Sequence, residues 1–522
     1  MNGKKGLINS LLVSLVAFSA AGQLSHTRPK LVVGIMVDQL RTDYLDYLRP
    51  FFSNGGLKVL MDSGVYIKDL DFKVKGLDVV SGSALVCTGA YPSANGVASS
   101  YVFDPQTLRR SDVFMSGSSL APGALTLSTV SDEVVIDGIS LGAVHAIAAD
   151  PQYAVVLGGH ASGSAVWIDP DKGIWTSSDY YKNVPKFVQT RNIGRNSLKS
   201  RIDTAHWSPA LPLDLYPGIP RQKKFYPFRY TYPSSERSAY ARFSSTPPGN
   251  REVADLAVEY LGNLGLGMRG DVIDMLSIGF SLAPYKEVKD GDARLELSDA
   301  YIRLDSDIAR VLEAVRRGPG LENTLIYVVS TGYYNDAVAD DPVYRIPSGE
   351  FSTRRAESLL NSYLSAKYGG ADYVLSFDGR ELHFDNNALR NSTVARDVIL
   401  EDAAQFLSRM GGVARALPLE DILSATDPEL EKVRLGLNPR TAGDIIVKVL
   451  PGWVLSDDAS YPAVKTPVRE GTVSTPALIM APGIASRVIE YPTDAVSIAP
   501  TLTQILRIRS PNGASARAIP LL

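Results

Sequence analysis

The chain of 522 residues has one cysteine, Cys87, and five histidines. A single cysteine excludes an intrachain disulfide, so the core must suffice to hold the fold. Its neighbours, "ALVCTGA", are apolar, and Cys87 reads as a small packed core residue. Charge of one sign is also lacking. Lys and Arg total 53 against 56 Asp and Glu, a formal net charge of −3. No nucleic-acid surface or polybasic membrane patch follows from that balance. Long apolar runs are scarce too. The one present, "LINSLLVSLVAFSAA", follows two lysines in "MNGKKG" and precedes small residues. That layout predicts a signal peptide over residues 1–22, cleaved near Gly22–Gln23, with no membrane span in the mature chain. No cysteine stands near the cleavage site to take a lipid.

What is present is strand and helix patterning. "KLVVGIMVDQL" (30–40) reads as a fully buried parallel strand with Asp38 at its C-terminal edge, where open α/β sheets bind ligands. "AVVLGG" (154–159), "DVIDMLSIGFS" (271–281), "TLIYVVST" (324–331) and "TPALIMAPG" (475–483) read as further strands. "REVADLAVEYLGNLG" (251–265) and "LSDAYIRLDSDIARVLEAVRRG" (297–318) carry helical spacing, and the alternation predicts an α/β layered core. Residues 161–250 and 335–465 read as insertions; the second contains a hairpin-like pair, "ADYVLSFDGRELHFD". The Tyr- and Arg-rich stretch "RQKKFYPFRYTYPSSERSAYARF" offers aromatic and cationic surface for a protein partner or glycan, or a solvated loop.

Seven segments together resemble the alkaline phosphatase superfamily, in its PafA-type and nucleotide pyrophosphatase/phosphodiesterase branch. They are "VVGIMVDQLRTDYL", "CTGAYPSANGV", "GGHASGSAVWIDPDKGIWTSSDYY", "STPPGNREVADLA", "DMLSIGFS", "SDAYIRLDSDIARVLE" and "SIAPTLTQILRIRSPNGA", in the family's order. The resemblance implies a three-layer α/β/α core with a large mixed sheet and cap-like insertions, over residues 29–522. It also implies two zinc ions on Asp and His ligands, activating a Thr or Ser nucleophile. The chemistry asks for such cations, because phosphoryl transfer develops charge on several oxygens at once.

Carried over position by position, the family pattern is mostly missing. The first ligand position holds Asp38. The nucleophile position, ten residues before Gly89, holds Val79, which has no hydroxyl. Ser81 and Ser83 are weak substitutes that read better as helix-capping serines. The substrate-contact positions hold Ser100, Asp150 and Gln152, so two family cations become an acid and an amide. The other ligand positions hold Pro284, Val288, Thr331, Gly332 and Glu470. Of the histidines, His26, His145, His160, His206 and His383, none follows the strand-end Asp-His pattern.

The expectation is therefore an exported pseudoenzyme of the periplasm or cell envelope, with no cofactor and a partner the sequence does not name. The alternative is a metal-dependent phosphomonoesterase or phosphodiesterase with a rearranged site, holding zinc around Asp38. A Ser-His-Asp hydrolase is disfavoured, since "SGSAL" lacks the closing glycine of a nucleophile elbow.

Overall fold

The structure is a computed structural model. It describes residues 28–74, 76–139, 141–216, 228–282, 293–332, 348–370, 372–457, 464–468 and 473–522. The candidate positions Pro284, Val288 and Glu470, the leader 1–22 and His26 lie outside the described residues.

A mixed sheet of nine strands forms the centre. In chain order these are β1 (Leu31–Asp38), β2 (Val65–Ile67), β3 (Val144–Ala148), β4 (Ser164–Ile168), β5 (Trp175–Thr176), β6 (Asp274–Ser281), β7 (Thr324–Ser330), β8 (Ala477–Met480) and β9 (Arg487–Ile489). Across the sheet the order is β5-β4-β3-β6-β1-β7-β8-β2-β9. β1 pairs in parallel with both β6 and β7, so the most apolar strand is central and every one of its residues is buried. β8 turns antiparallel against β7 and β2.

Two helical layers cover the sheet. One face packs α1 (Val79–Thr88), α2 (Val130–Asp137), α3 (Pro151–Gly158) and α6 (Ile498–Leu506) into one apolar core. The other packs α4 (Pro247–Leu264) and α5 (Arg294–Arg317) into a second. Both long helices carry an apolar stripe toward the sheet and a charged outer face, which is why their spacing was legible. A third core, Phe351–Val468, belongs to a four-stranded antiparallel sheet, a three-stranded sheet and their helices. It contains the expected hairpin, Val374–Asp378 with Glu381–Phe384. Among the described residues no helix is long and apolar enough to cross a membrane.

Three expectations need correction. The run "AVVLGG" is not a strand but most of α3. Asp150 caps that helix, its Oδ1 accepting the Tyr153 N–H at 2.9 Å, and Pro151 starts it. Residues 152–158 are all buried, so the helix shows no polar face and its run imitates a strand. The irregular region read as starting at 161 starts later, because β4 and β5 are main-sheet strands. Within residues 228–243 the aromatics face inward: Tyr232, Tyr240 and Phe243 are buried in the second core, and Phe228 and Tyr230 pack on Trp207.

Candidate functional site

The C-terminal ends of β1, β6 and β7 converge, and helix α1 begins against them. Asp38 closes β1 and is 7% exposed. Its Oδ1 accepts the Thr331 hydroxyl at 2.7 Å. Thr331 follows β7, and its N–H donates to the Val37 carbonyl at 3.2 Å. The next residue after Asp38, Gln39, takes a left-handed φ of 59°, a conformation that costs a non-glycine residue energy. The Asn250 side chain closes the end of β6 by bonding the Ser281 carbonyl at 2.7 Å and its N–H at 3.1 Å.

Helix α1 is pressed onto this edge. A Cβ at Gly82 would overlap the Thr331 carbonyl oxygen, so only glycine permits the approach. Asp78 is the cap of α1. Its Oδ1 accepts the N–H groups of Val80 and Ser81, at 3.1 and 2.9 Å, and the Ser81 hydroxyl at 2.9 Å. Its Oδ2 accepts the Ser99 hydroxyl at 3.2 Å and the Ser100 N–H. Five donors occupy one carboxylate, which holds the start of α1 against the loop bearing Ser100.

Val79 is the first residue of α1 and half-buried, with an aliphatic side chain. Neither serine caps the helix. Ser81 is the third helical residue, fully buried, and completes a reciprocal capping pair with Asp78. Ser83 is also fully buried and its hydroxyl donates to the Val79 carbonyl at 2.6 Å. Sequence reasoning missed Asp78, although an Asp immediately before an apolar helical run is a standard cap signal.

The charges that act on Asp38 are those of Asp78 and Asp150. Burial, and then the charges of Asp78 and Asp150, push the Asp38 carboxyl up to about 7; the Thr331 hydroxyl only partly offsets them. Asp150 is also raised, by its crowded surroundings and then by Asp112 and Asp78. Its own surface remains open to solvent, so screening weakens that effect. Gln152 is buried and its Oε1 lacks a hydrogen-bond partner. Arg110, on the hairpin 101–112 beside these acids, is bound to Asp378 and Asp457 of the third-core region.

Over residues 32–474 the chain matches the family described as Type I phosphodiesterase / nucleotide pyrophosphatase. The chain belongs to that family. Within the alkaline phosphatase superfamily it is of the PafA type. It is 25% identical to alkaline phosphatase PafA of Elizabethkingia meningoseptica, covering 99% of this chain and 98% of that protein. A protein of Myroides odoratus named calcium-transporting ATPase is also 25% identical, over 98% of each chain. The crystal structure of wild-type PafA superposes with a TM-score of 0.82 at 23% identity, covering 95% of this chain and 99% of that one, which establishes the shared fold.

The family implies a pair of zinc ions, and the described residues do not fit it. Among them no group of three or more His, Cys, Asp or Glu side chains is placed to hold a metal ion. Asp38 spends an oxygen on Thr331, and Asp78 is saturated by five donors. Nitrogen ligands are elsewhere: His145 bonds Ser164, His160 bonds Asp132, His206 lies near the Thr204 carbonyl and His383 packs on Phe103. Zinc prefers three or four nitrogen, sulfur or oxygen donors converging at about 2 Å.

Proposed function

We propose that this protein is an exported alkaline phosphatase-family member that has given up phosphoryl transfer and acts as a binding or scaffold protein of the periplasm or cell envelope. One observation carries the reading. Where the family's catalytic edge lies, a threonine hydroxyl satisfies Asp38 and the first residue of α1 is Val79. The neighbouring charges are negative, so a phosphate dianion would meet repulsion rather than a clamp. The aromatics Phe228, Tyr230, Tyr232, Tyr240 and Phe243 serve the fold, so a partner, an envelope protein or a glycan, would engage other side chains.

Turnover of a phosphomonoester and a phosphodiester, 4-nitrophenyl phosphate and bis(4-nitrophenyl) phosphate, with added zinc tests this. The expected rate for wild type equals that of Asp38→Asn. A wild-type rate well above that of Asp38→Asn, lost also in Ser81→Ala, would establish instead a rearranged site built on the Ser81–Asp78 hydroxyl–carboxylate pair.

A further inference from the structure

A second concavity lies at the opposite edge of the sheet, where β3, β4 and β6 begin. β1 is eight residues long, so the two edges stand about 25 Å apart at the usual rise of a strand. The cavity measures about 320 Å³, within the range of small-molecule sites. Its wall is mainly apolar, with Val135 inside and Leu141 at the mouth, and three polar side chains, His145, Asn183 and Arg269, converge on it.

His145 is the informative residue. It is 6% exposed. Its Nδ1 bonds the Ser164 hydroxyl at 2.8 Å, and that hydroxyl bonds the Tyr260 hydroxyl at 3.1 Å. Tyr260 also packs edge-on to the imidazole at 5.1 Å. The ring is thus fixed, yet Nε2 has no partner among the described residues although the side chain lines the cavity. A ring nitrogen held in place and open to a cavity is a contact point for a ligand atom that enters it. Burial lowers the His145 pKa to about 4, keeping the ring neutral near pH 7.

Arg269 fixes the charge of that ligand. Its Nε and Nη2 bind Asp274, which leaves Nη1 unused among the described residues. The guanidinium carries five N–H donors in a planar fork, so on this 40% exposed side chain the Nη1 edge can still bond one carboxylate. Outside the mouth the surface stays apolar: Leu141 is 69% exposed, and Ile139, in the same turn, is 83% exposed. Ile139 also holds a φ of 48°, a strained conformation for a β-branched residue, and one that accompanies functional loops more often than inert ones.

From these observations we infer that the cavity between His145, Asn183 and Arg269 binds a small amphiphile with a single carboxylate: its head on the Arg269 Nη1, the Asn183 amide and the His145 Nε2, and its apolar tail along Val135 and Leu141. The site is separate from the β1 edge and does not depend on whether that edge is catalytic.

Gly163 supplies the control. A Cβ added there would lie 3.5 Å from the His145 Cε1 and 3.6 Å from the Asn183 Cβ, ordinary contacts that fill the cavity without a clash. The probe is sodium octanoate, titrated into full-length protein carrying ¹³C-labelled histidine, with the His145 Cε1–H signal assigned through His145→Asn. A saturable shift of that signal is expected. Gly163→Val is expected to weaken it by about tenfold or more, and octan-1-ol to bind at least about tenfold more weakly than octanoate. Thermal unfolding verifies that Gly163→Val folds; should it not, Leu141→Ser, at an exposed position, replaces it. Absence of a saturable shift overturns the site. So does equal binding by a folded Gly163→Val or Leu141→Ser, and equal binding of octan-1-ol overturns the carboxylate assignment.

Discussion

Replacing Asp38 by asparagine should stabilise this protein at alkaline pH. The carboxyl is buried, ionises at about 7 when folded and starts from 3.8. The folded state therefore binds the proton more tightly than the unfolded state, and stability falls as pH rises from about 4 through 7. A shift of that size corresponds to about 4 kcal/mol as an upper bound. The asparagine side chain keeps an oxygen for the Thr331 hydroxyl and carries no charge toward Asp78 and Asp150. At pH 8.5 the variant should exceed wild type by about 2–4 kcal/mol, and at pH 4 the two should be alike. A chain of this length has an unfolding entropy near 1 kcal/mol/K, so the difference in Tm should be about 2–4 °C. Thermal unfolding of both proteins between pH 4 and pH 9, read by circular dichroism, measures it. An Asp38 bound to a metal ion would behave oppositely: asparagine would then lower Tm at pH 8.5, and that result refutes the reasoning.

Thr331→Val should cost about 1–3 kcal/mol at pH 8.5, because it strips a buried carboxylate of the Thr331 hydroxyl donor, and less at pH 4, as denaturant titrations at both values would measure. His160 donates to the buried Asp132, which raises its pKa; the stabilisation is complete below about 6.5 and lost as pH rises through the raised value. With a third of that side chain exposed, His160→Ala should cost only about 1 kcal/mol more at pH 5.5 than at pH 9, read from paired denaturant midpoints. Arg110→Ala removes the ion pairs to Asp378 and Asp457; hydrogen exchange should quicken in 374–384 and 453–457, at a cost of about 2 kcal/mol. Cys87, buried and pushed up to about 12, should resist thiol reagents until the protein unfolds.

Much of the scaffold was legible because periodicity survives where one face meets solvent or a strand is buried on both sides. β1, β6 and β7 follow from largely apolar runs, β-branched in β1 and β7, and α4 and α5 from three- and four-residue apolar steps. β3 and α3 were harder, since burial on every side erases the contrast between the two periods, and "AVVLGG" reads as a strand although it is most of α3. Asp38 at a strand end was visible for the same reason as β1. The partnership of Asp38 with Thr331 was not, because 293 residues separate them and only the parallel pairing of β1 and β7 brings them together. The His145 cavity was invisible too, since it depends on turns before β3, β4 and β6 meeting at one edge.

The central claim, that this alkaline phosphatase-family chain works without the family's zinc pair, is tested most directly by elemental mass spectrometry of mature protein purified from zinc-supplemented cells. The account predicts no stoichiometric zinc, in wild type and in Asp38→Asn alike. About two zinc ions per chain, lost in Asp38→Asn, would contradict it and restore phosphoryl transfer as the function.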